Sequence, residues 1–539
     1  MISVVSTPNT SSYDIAVAGA GPIGLLYASW VKLARPEARI VVIERSETPR
    51  HKIGESTLSG FCKALRSVGI RQEVLNRLFF PKNGLGFFHV DESVDNVTNA
   101  FEYILETFDE TFQIERRVLE SLLIANSRRL GIEVLQGARV NIKRSTFSSD
   151  GNQIVYQVQN QEAVIATKLF VDATGPASLL AKHLGLHTKT DGLFQNNAVW
   201  GYFKDVRRLD SIQNWPASAQ FSRDEYTQHL CFKEGWLWYI PLVSWENVED
   251  TQLNPLLEQL LSTTGELPTR EAVQRSSDCQ SEDIVSIGLV LRDDRDRVFQ
   301  EQGPKAVFEQ YAKQYPAIAQ LLEGATFVEG HYGPQNYLCR ANVRTHARQV
   351  SGDGWMIIGD AAFFVDPLIS PGLTGGVAGA YFAAQESLGV VDGDQAEKRQ
   401  FVHYEAFAHH LHEALERDNQ LVYMSFNHPR AIELIQRFQE IDARRHFNQQ
   451  NHLSDEYTLA DTNVWGILSP DYQEMQQKLW QLMHETEQRV LAHCSSEQQS
   501  LTLYEEMVQQ MEALLAIHLD QHVGLTPYIV QNQPALALA

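Results

Sequence analysis

The feature that most constrains the fold is a glycine loop close to the start of the chain, Gly19-Ala20-Gly21-Pro22-Ile23-Gly24. It follows an apolar run at residues 14–18 and opens an apolar-periodic stretch at 23–33, after which a β-branched run covers 39–44. This order predicts a strand, a tight turn, a helix and a second strand, which together form the βαβ unit of a Rossmann-type parallel sheet.

Each glycine of the loop has a role in binding a dinucleotide. Gly19 permits the tight turn, Gly21 lets the backbone approach a pyrophosphate, and Gly24 lets the helix pack on the strand. The helix N-terminus attracts the phosphates, and Glu44 lies about 20 residues on, where an acid accepts the ribose hydroxyls. A glycine turn in another α/β fold is the alternative, which the strand–helix–strand context disfavours. The predicted dinucleotide-binding residues are Gly19, Gly21, Pro22, Ile23, Gly24 and Glu44.

Further elements extend this unit into a larger domain. Residues 116–130 predict an amphipathic helix, and residues 133–172 contain several short β-like runs. Late in the chain, a buried strand at 355–360 precedes a helix of small residues at 372–388. These elements favour a discontinuous nucleotide-binding domain.

The remaining patterns complete a mixed α/β fold. The range 198–333 has longer, aromatic-rich runs, which predict an antiparallel, substrate-facing sheet. The range 397–518 is rich in Gln, Glu, His and Leu at helical spacing and predicts a helical C-terminal region. The predicted domains are residues 13–190 with 334–390 for the cofactor, 191–333 for the sheet and 391–539 for the helices.

Net charge and cysteine content exclude several classes of protein. The net charge of −22 disfavours nucleic acid as a partner. The five cysteines are scattered without a CxxC pair, which indicates a reducing compartment and argues against a zinc site. The N-terminus lacks a secretory signal, and no apolar run is long enough to span a membrane. We therefore expect a soluble, cytoplasmic protein.

Three further segments resemble those of FAD-binding monooxygenases of the hydroxylase class. Gly359-Asp360-Ala361-Ala362 resembles their GDAA segment, and Asp172-Ala173-Thr174-Gly175 resembles their DATG segment near the cofactor. Gln113 and Arg116 resemble a Gln-x-x-Arg segment whose arginine opens a helix beside FAD, and Arg117 is the weaker match. Taken singly, each segment could be an ordinary loop or a surface arginine. The resemblance implies FAD contacts at Arg116, Asp172, Gly175 and Asp360.

A narrower resemblance is to the flavin-dependent halogenases. Residues 235–241 (GWLWYIP) match their WxWxIP segment, and residues 364–372 (FVDPLISPG) match their FxxPxxSxG segment. Residues 80–84 (FPKNG) resemble the segment that presents a lysine, and residues 52–56 (KIGES) resemble a GES stretch beside the flavin. The resemblance extends over residues 13–388.

The resemblance implies that reduced FAD, oxygen and chloride or bromide yield hypohalous acid, which passes through an internal tunnel to a lysine. A lysine suits this role because its ammonium can hydrogen-bond hypohalous acid and its amine can form a haloamine. The implied catalytic residues are Lys82, Ser370, Trp236 and Trp238. Further implied cofactor contacts are Gly54, Glu55, Ser56, Pro367, Gly372 and Leu373.

The catalytic candidates also have plainer interpretations. Trp236 and Trp238 alternate along a predicted strand, and core packing alone would explain them. Lys82 lies near Pro81 and Gly84 on an apparent loop, where a lysine without the family pattern would be a solvated surface residue.

Two positions depart from the family pattern. Tryptophan halogenases carry a glutamate two residues past the proline of the Asp-Pro pair, and this chain has Ile369 there. The change disfavours free tryptophan and favours a phenol or pyrrole, either free or on a carrier protein. Pro371 has no backbone N–H where the family rests its halide, so Gly372 and Leu373 would have to supply the donors.

The sequence alone leaves three possible functions. Halogenation of an electron-rich aromatic is favoured by the tryptophan pair, by Lys82 and by the FxxPxxSxG segment. A flavin monooxygenase or oxidase of the same fold is favoured by Pro371, and an inactive flavin-fold protein is the third. Residues 388–539 contain no second dinucleotide fingerprint, so we expect a separate flavin reductase to supply reduced FAD.

Overall fold

The computed structural model describes residues 11–188, 194–212, 221–276, 283–292, 302–329, 337–393, 401–449 and 454–520. Cys279 lies outside the described residues, and so do residues 1–10, for which the sequence predicts no secretory signal. In the described part, Cys62, Cys231, Cys339 and Cys494 are free thiols, and no cluster of three or more His, Cys, Asp or Glu could hold a metal ion. The described helices are all too short or too polar to cross a lipid bilayer.

The strands are numbered in chain order. They are β1 Ser12–Ala18, β2 Ile40–Glu44, β3 Phe80–His89, β4 Phe101–Gln113, β5 Glu133–Gln136, β6 Ala138–Val140, β7 Asn152–Val158, β8 Gln161–Asp172, β9 His187–Thr188, β10 Asn196–Lys204, β11 Tyr226–Phe232, β12 Gly235–Val243, β13 Asp283–Arg292, β14 Thr326–Phe327, β15 Leu338–Arg340, β16 Thr345–Ala347, β17 Ser351–Gly352, β18 Trp355–Ile357 and β19 Phe363–Phe364.

The helices are numbered in the same way. They are α1 Pro22–Ala34, α2 Ser59–Ser67, α3 Gln72–Leu78, α4 Arg116–Arg129, α5 Leu179–His183, α6 Asp250–Ser262, α7 Arg270–Ser276, α8 Pro304–Gln314, α9 Pro316–Leu321, α10 Pro371–Val391, α11 Val402–Ser425, α12 Pro429–Gln449, α13 Pro470–His493 and α14 Glu497–Asp520. Single turns of 3₁₀ helix include Gly175–Ala177, Gly359–Ala361 and Val464–Gly466.

The first sheet confirms the predicted Rossmann unit. Its strands lie in the order β17-β18-β8-β1-β2-β5, and β1 runs parallel to both β2 and β8. Helix α1 connects β1 to β2 and packs against α10, and the carboxyl-terminal parts of the central strands are buried and mostly apolar. The glycine loop therefore lies at the carboxyl end of β1, the edge at which such sheets bind ligands.

The second sheet draws strands from an unexpected part of the chain. Its order is β14-β10-β13-β12-β11-β3-β4, and β3 and β4 precede the range 198–333. Strand β11 pairs with β3 in parallel, so the sheet is antiparallel only in part. The prediction that Lys82 lies on a loop is wrong, because Lys82 belongs to β3. Pro81 and Gly84 weaken the strand pattern, and the structure accommodates them with a bulge between Lys82 and Gly84.

The two faces of this second sheet contact different helices. Along β12, Leu237 and Tyr239 pack in a cluster with α8 and α9. Trp236 and Trp238 face the other way and pack with the C-terminal helices α11 to α14. This division follows from the two-residue period of a strand. The C-terminal region is helical as predicted, and its helices form the core behind the tryptophans. The domain boundaries given above stay a proposal.

Candidate active site

A cavity of about 600 Å³ lies where the glycine loop, the end of β2 and the start of α10 meet. We refer to it as the nucleotide cavity. Its lining includes the predicted cofactor residues Gly19, Gly21, Pro22, Ile23, Glu44, Arg116, Gly175, Asp360 and Leu373. The predicted cofactor residues outside this lining are Gly24, Gly54, Glu55, Ser56, Asp172, Pro367 and Gly372.

The glycines of the loop differ in what they contact. Gly19 has a φ of +105°, and a Cβ there would lie 2.5 Å from the carbonyl oxygen of Ala173. A Cβ at Gly24 would lie 2.5 Å from the carbonyl oxygen of Gly19, so the helix packs too closely for a side chain. Gly21 has an ordinary φ of −74°, and a Cβ there would meet nothing within 4 Å. This open space beside the N-terminus of α1 fits a pyrophosphate group.

Glu44 is held rigidly at the edge of the nucleotide cavity. Its Oε2 accepts a hydrogen bond from the Ala20 N–H at 2.9 Å, and its Oε1 accepts from the Ser46 N–H at 2.9 Å. Each carboxylate oxygen has a second lone pair with which to accept from a hydroxyl. The open space at Gly21 and this fixed acceptor fit the diphosphate and ribose of a dinucleotide.

Arg116 joins the GES stretch to the nucleotide cavity. Its guanidinium donates to Glu120 at 3.0 Å, and its buried Nε has no partner among the described residues. Gly54 has a φ of +101°, and a Cβ there would lie 2.7 Å from the Arg116 guanidinium. Arg117 instead donates to Asp250 at 2.9 Å and to backbone carbonyls away from the cavity. These positions favour Arg116 over Arg117 as the arginine beside the cofactor.

Glu55 faces the protein interior. Its carboxylate accepts from the Tyr202 hydroxyl at 2.8 Å and lies 2.9 Å from Nε2 of His51. Its carbonyl oxygen accepts from the Ile114 N–H at 2.6 Å. These bonds fix the loop that carries Ser56.

The two aspartates taken from the hydroxylase segments occupy different environments. Asp172 turns its oxygens toward its own chain, where they accept from the Thr174 N–H at 2.9 Å and from the Leu180 N–H at 2.6 Å. Asp360 lies in a 3₁₀ turn that lines the nucleotide cavity. Burial raises the pKa of Asp360, and the charge of Arg340 opposes this shift. The geometry gives Asp172 the role of shaping a turn, while Asp360 belongs to the lining of the nucleotide cavity.

Lys82 is completely buried. Its Nζ donates to Ser56 Oγ at 2.7 Å and to the Thr57 carbonyl oxygen at 2.6 Å. Burial lowers the pKa of Lys82 to about 7. The interpretation as a solvated surface lysine is therefore wrong, and the side chain has both an ammonium and an amine form near neutral pH.

A small polar network positions the acceptors of Lys82. Ser56 Oγ lies 2.7 Å from Thr227 Oγ1, which accepts from Gln113 Nε2 at 2.7 Å. Neither Thr57 nor Thr227 was predicted from the sequence. Thr57 directly follows the GES stretch, which was an available signal, whereas Thr227 lies in a strand without any motif.

The two tryptophans of β12 are buried and hydrogen-bonded. Trp236 Nε1 donates to the Tyr423 hydroxyl at 2.8 Å, and Trp238 Nε1 donates to Ser286 Oγ at 3.1 Å. Their ring centroids are 5.8 Å apart. They fill the core as the plainer interpretation predicts, and Tyr423 gives Trp236 a specific polar contact as well.

The FxxPxxSxG segment and the two residues that follow it contribute to the nucleotide cavity and to a second cavity. Leu373 lines the nucleotide cavity, while Ile369 and Thr374 line the second cavity. Ile369 and Ser370 have φ of +59° and +56°, and a β-branched residue is rare in this conformation. Pro371 is the first residue of α10, where a missing N–H costs no helical hydrogen bond.

Pro367 and Gly372 shape the same segment. The Pro367 carbonyl oxygen accepts from the Ser370 N–H at 3.0 Å and closes the turn. Gly372 lies in the first turn of α10, where a Cβ would come 3.0 Å from the Phe364 ring. The backbone groups of Gly372 and Leu373 thus lie at a helix N-terminus, which favours an anion.

The second cavity has a volume of about 140 Å³ and lies between β3, β4, α2, α10 and α12. Its lining is mainly apolar and includes Leu58. Leu58 directly follows Thr57, whose carbonyl oxygen accepts a hydrogen bond from Lys82. Helix α12 contributes Gln436, Gln439, Ala443 and His446, which no sequence motif indicated. The apolar side chains of the lining include Leu58, Leu85, Leu105, Ile369 and Trp465.

The second cavity has carboxylates in its lining, but none of them is at position 369, where tryptophan halogenases carry a glutamate. Asp109 pairs with Arg66 at 3.2 Å, and Asp461 pairs with Lys63 at 2.7 Å. Glu106 also lines the cavity, and its Oε1 accepts from the Tyr226 hydroxyl at 3.3 Å. Each oxygen of this carboxylate has a further lone pair with which to accept a hydrogen bond from a bound molecule.

Comparison with known proteins gives a consistent result. The sequence profile described as tryptophan halogenase matches residues 14–101 and 89–246. The flavin-dependent halogenase malA of Malbranchea aurantiaca is 30% identical over 498 residues, which cover 86% of this chain and 73% of that protein. The 1H-pyrrole-2-carbonyl-[peptidyl-carrier protein] chlorinase of Pseudomonas fluorescens is 24% identical, over 73% of this chain and 79% of the relative.

Solved structures agree on the fold. The crystal structure of halogenase PltM in complex with phloroglucinol and FAD superposes with a TM-score of 0.72 at 17% identity. The superposition covers 93% of this chain and 96% of that one.

Proposed function

This chain belongs to the flavin-dependent halogenases, and we propose that Lys82 receives hypohalous acid and passes the halogen to an aromatic substrate in the second cavity. When bound, reduced FAD supplies two electrons to oxygen, so that one oxygen atom becomes water and the other oxidises the halide to hypohalous acid. The aromatic ring then gains the halogen and loses a proton, and the remaining oxygen leaves as water.

The burial of Lys82 is the observation that carries this proposal. The amine is withdrawn from solvent, is bound to neutral oxygens, and has a pKa lowered by burial to about 7. A lysine in this state can donate a hydrogen bond to hypohalous acid or act as a nucleophile toward its halogen. Its acceptor Thr57 is adjacent to Leu58 in the lining of the second cavity.

The residues of the nucleotide cavity are proposed to hold FAD. Gly21 and the N-terminus of α1 would face the pyrophosphate, and Glu44 would accept from the ribose. Arg116 and Asp360 would lie along the remaining part of the cofactor. The backbone N–H groups of Gly372 and Leu373 would hold the halide, since Pro371 cannot donate.

The proposed substrate is a phenol or pyrrole. The second cavity has mainly apolar walls, and Ile369 lines it at the position where tryptophan halogenases carry a glutamate. A phenol or pyrrole ring is electron-rich without help from such a carboxylate, and Glu106 could accept its hydroxyl or N–H proton. One relative is named for a carrier-bound pyrrole and one structure contains phloroglucinol, so both free and carrier-bound substrates are worth testing.

The test supplies the purified protein with FAD, a flavin reductase, NADH, oxygen and either chloride or bromide. A panel of phenols and pyrroles, free and as carrier thioesters, is then analysed by mass spectrometry. We expect a product in which one hydrogen is replaced by halogen, and no such product without halide. An oxygenated product, or no product over the whole panel, would contradict the proposal.

A further inference from the structure

A buried chain of hydrogen bonds connects the C-terminal helices to both segments that resemble those of halogenases. Trp236 of the WxWxIP segment donates from Nε1 to the Tyr423 hydroxyl at 2.8 Å. Tyr423, on α11, donates in turn to Oδ1 of Asp366 at 3.1 Å. Asp366 belongs to the FxxPxxSxG segment, and all three side chains are at most 2% exposed.

Asp366 holds the backbone turn that carries Ile369 into the lining of the second cavity. Its Oδ1 also accepts from the Leu368 N–H at 3.0 Å, and its Oδ2 accepts from Asn196 Nδ2 at 2.5 Å. Ile369 and Ser370, which directly follow Leu368, are both in the left-handed conformation. Such a conformation persists only where neighbouring contacts hold it. The hydrogen bonds of Asp366 are polar contacts next to the turn, in addition to the bond from the Ser370 N–H to the Pro367 carbonyl oxygen.

The buried carboxyl group makes the Tyr423 hydroxyl important. Burial raises the pKa of Asp366 to about 6, and the hydrogen bonds from Asn196, Leu368 and Tyr423 oppose this shift. The carboxylate is therefore mostly ionised at neutral pH but depends on its donors. Loss of one donor leaves a buried anion less stabilised, and the turn that it holds becomes free to shift.

We propose that Tyr423 is a positioning residue for halogenation. Its hydroxyl fixes the turn at Ile369 and Ser370 relative to the Trp236 side chain. This inference rests on the proposed function, because the halide is expected at the backbone N–H groups that follow the turn. Without the Tyr423 hydroxyl, the halide site loses its shape while the glycine loop and the other residues proposed to hold FAD stay in place.

The test compares Tyr423→Phe with Tyr472→Phe. Tyr472, on α13, is also buried and donates to a buried aspartate, Asp418, at 2.6 Å. Each variant thus loses one buried Tyr-to-Asp hydrogen bond, and both should lose a similar amount of thermal stability. We expect the KM for halide to rise by about 10-fold in Tyr423→Phe alone, as the loss of a hydrogen bond to a charged group implies. FAD affinity should not change in either variant.

A second comparison tests whether Tyr423 acts through Asp366. Asp366→Asn should also raise the KM for halide, and the double variant with Tyr423→Phe should be no worse than Asp366→Asn alone. If Tyr423→Phe does not fold, Trp236→Phe removes the indole N–H at the other end of the chain of hydrogen bonds. This variant should also raise the KM for halide.

Three outcomes would overturn the inference. One is an equal KM for halide in Tyr423→Phe and Tyr472→Phe, another is additive effects in the double variant, and the third is a loss of FAD affinity in Tyr423→Phe that accounts for its lost activity. A wild-type protein that halogenates nothing would instead refute the proposed function, so the two failures are distinguishable.

Discussion

Lys82 has an environment unlike that of an ordinary lysine. Among the described residues its amine binds two neutral oxygens and pairs with no carboxylate. A buried amine without an anion costs folding free energy, so such groups occur where function requires them. The sequence offered the lysine as a candidate through a family resemblance, but only the structure places it inside strand β3.

This environment predicts how stability changes with pH. The pKa of Lys82 falls from 10.5 in the unfolded chain to about 7 in the folded one. Between these values the unfolded chain binds the extra proton, so the free energy of unfolding rises with pH through this window. Urea unfolding of wild type and Lys82→Met should show the wild type gaining stability relative to the variant between about pH 7 and about pH 9. A difference that is the same at both pH values would mean that the pKa of Lys82 is not lowered.

Gly21 and Gly24 provide a matched pair for the cofactor site. A side chain at Gly21 meets no protein atom, so Gly21→Val should fold with a stability within about 1 kcal/mol of wild type while losing FAD. A Cβ at Gly24 meets a backbone oxygen, so Gly24→Ala should lose about 1–3 kcal/mol of stability. Thermal unfolding and flavin absorbance after gel filtration measure both effects. Retention of FAD by Gly21→Val would contradict the assignment of the pyrophosphate position.

At the scale of elements, α12 is the part of the second cavity that the sequence did not reveal. Gln436 lies on this helix, is buried, and its Nε2 has no partner among the described residues. We expect this amide to donate to a substrate oxygen, because a buried donor without a partner costs about 1–3 kcal/mol.

Replacing Gln436 with leucine tests the assignment of the second cavity. Gln436→Leu should unfold at the same or a higher temperature, because the unpaired donor is removed. The KM for the aromatic substrate should rise several-fold, with the KM for halide unchanged. Steady-state kinetics with each substrate varied separately would show this. An unchanged KM for the aromatic would place the substrate elsewhere.

The elements that the sequence predicts well are those with local patterns. The glycine loop lies between a buried strand and an apolar-periodic helix, and the structure has this unit within a residue or two of the predicted ends. Strand β3 pairs with β4, the next strand, and with β11, which is remote in sequence. Pro81 and Gly84 weaken its local strand pattern. The contact of Tyr423 with Trp236 arises from tertiary packing between residues far apart in sequence, so no periodicity could indicate it.

At the scale of the whole molecule, one short segment, residues 369–374, contributes to the lining of both cavities. The nucleotide cavity belongs to the first sheet, while the second cavity is closed by the C-terminal helices. In the described residues the C-terminal region contributes helices α11 to α14 and no further βαβ unit. The chain therefore provides one dinucleotide site in its described part, and that site is proposed to bind FAD.

A single dinucleotide site predicts how electrons are supplied. NADPH or NADH alone should leave the flavin oxidised, and a catalytic amount of a flavin reductase should restore turnover. Anaerobic absorbance of the flavin, recorded with each nucleotide before and after the reductase is added, measures this. Rapid reduction without the reductase would indicate that the chain reduces its own cofactor, as the monooxygenase alternative requires.

The central claim is that Lys82 passes the halogen to the substrate, and the most direct test is the yield of halogenated product per reduced FAD oxidised. Lys82→Met and Lys82→Arg should bind FAD and consume oxygen like wild type, with a yield lowered by at least about 100-fold. Arginine should fail because its planar, permanently charged group cannot form a haloamine. Lys32→Ala, at the far end of α1, serves as the control and should keep the wild-type yield. A near-normal yield in Lys82→Met would contradict the account.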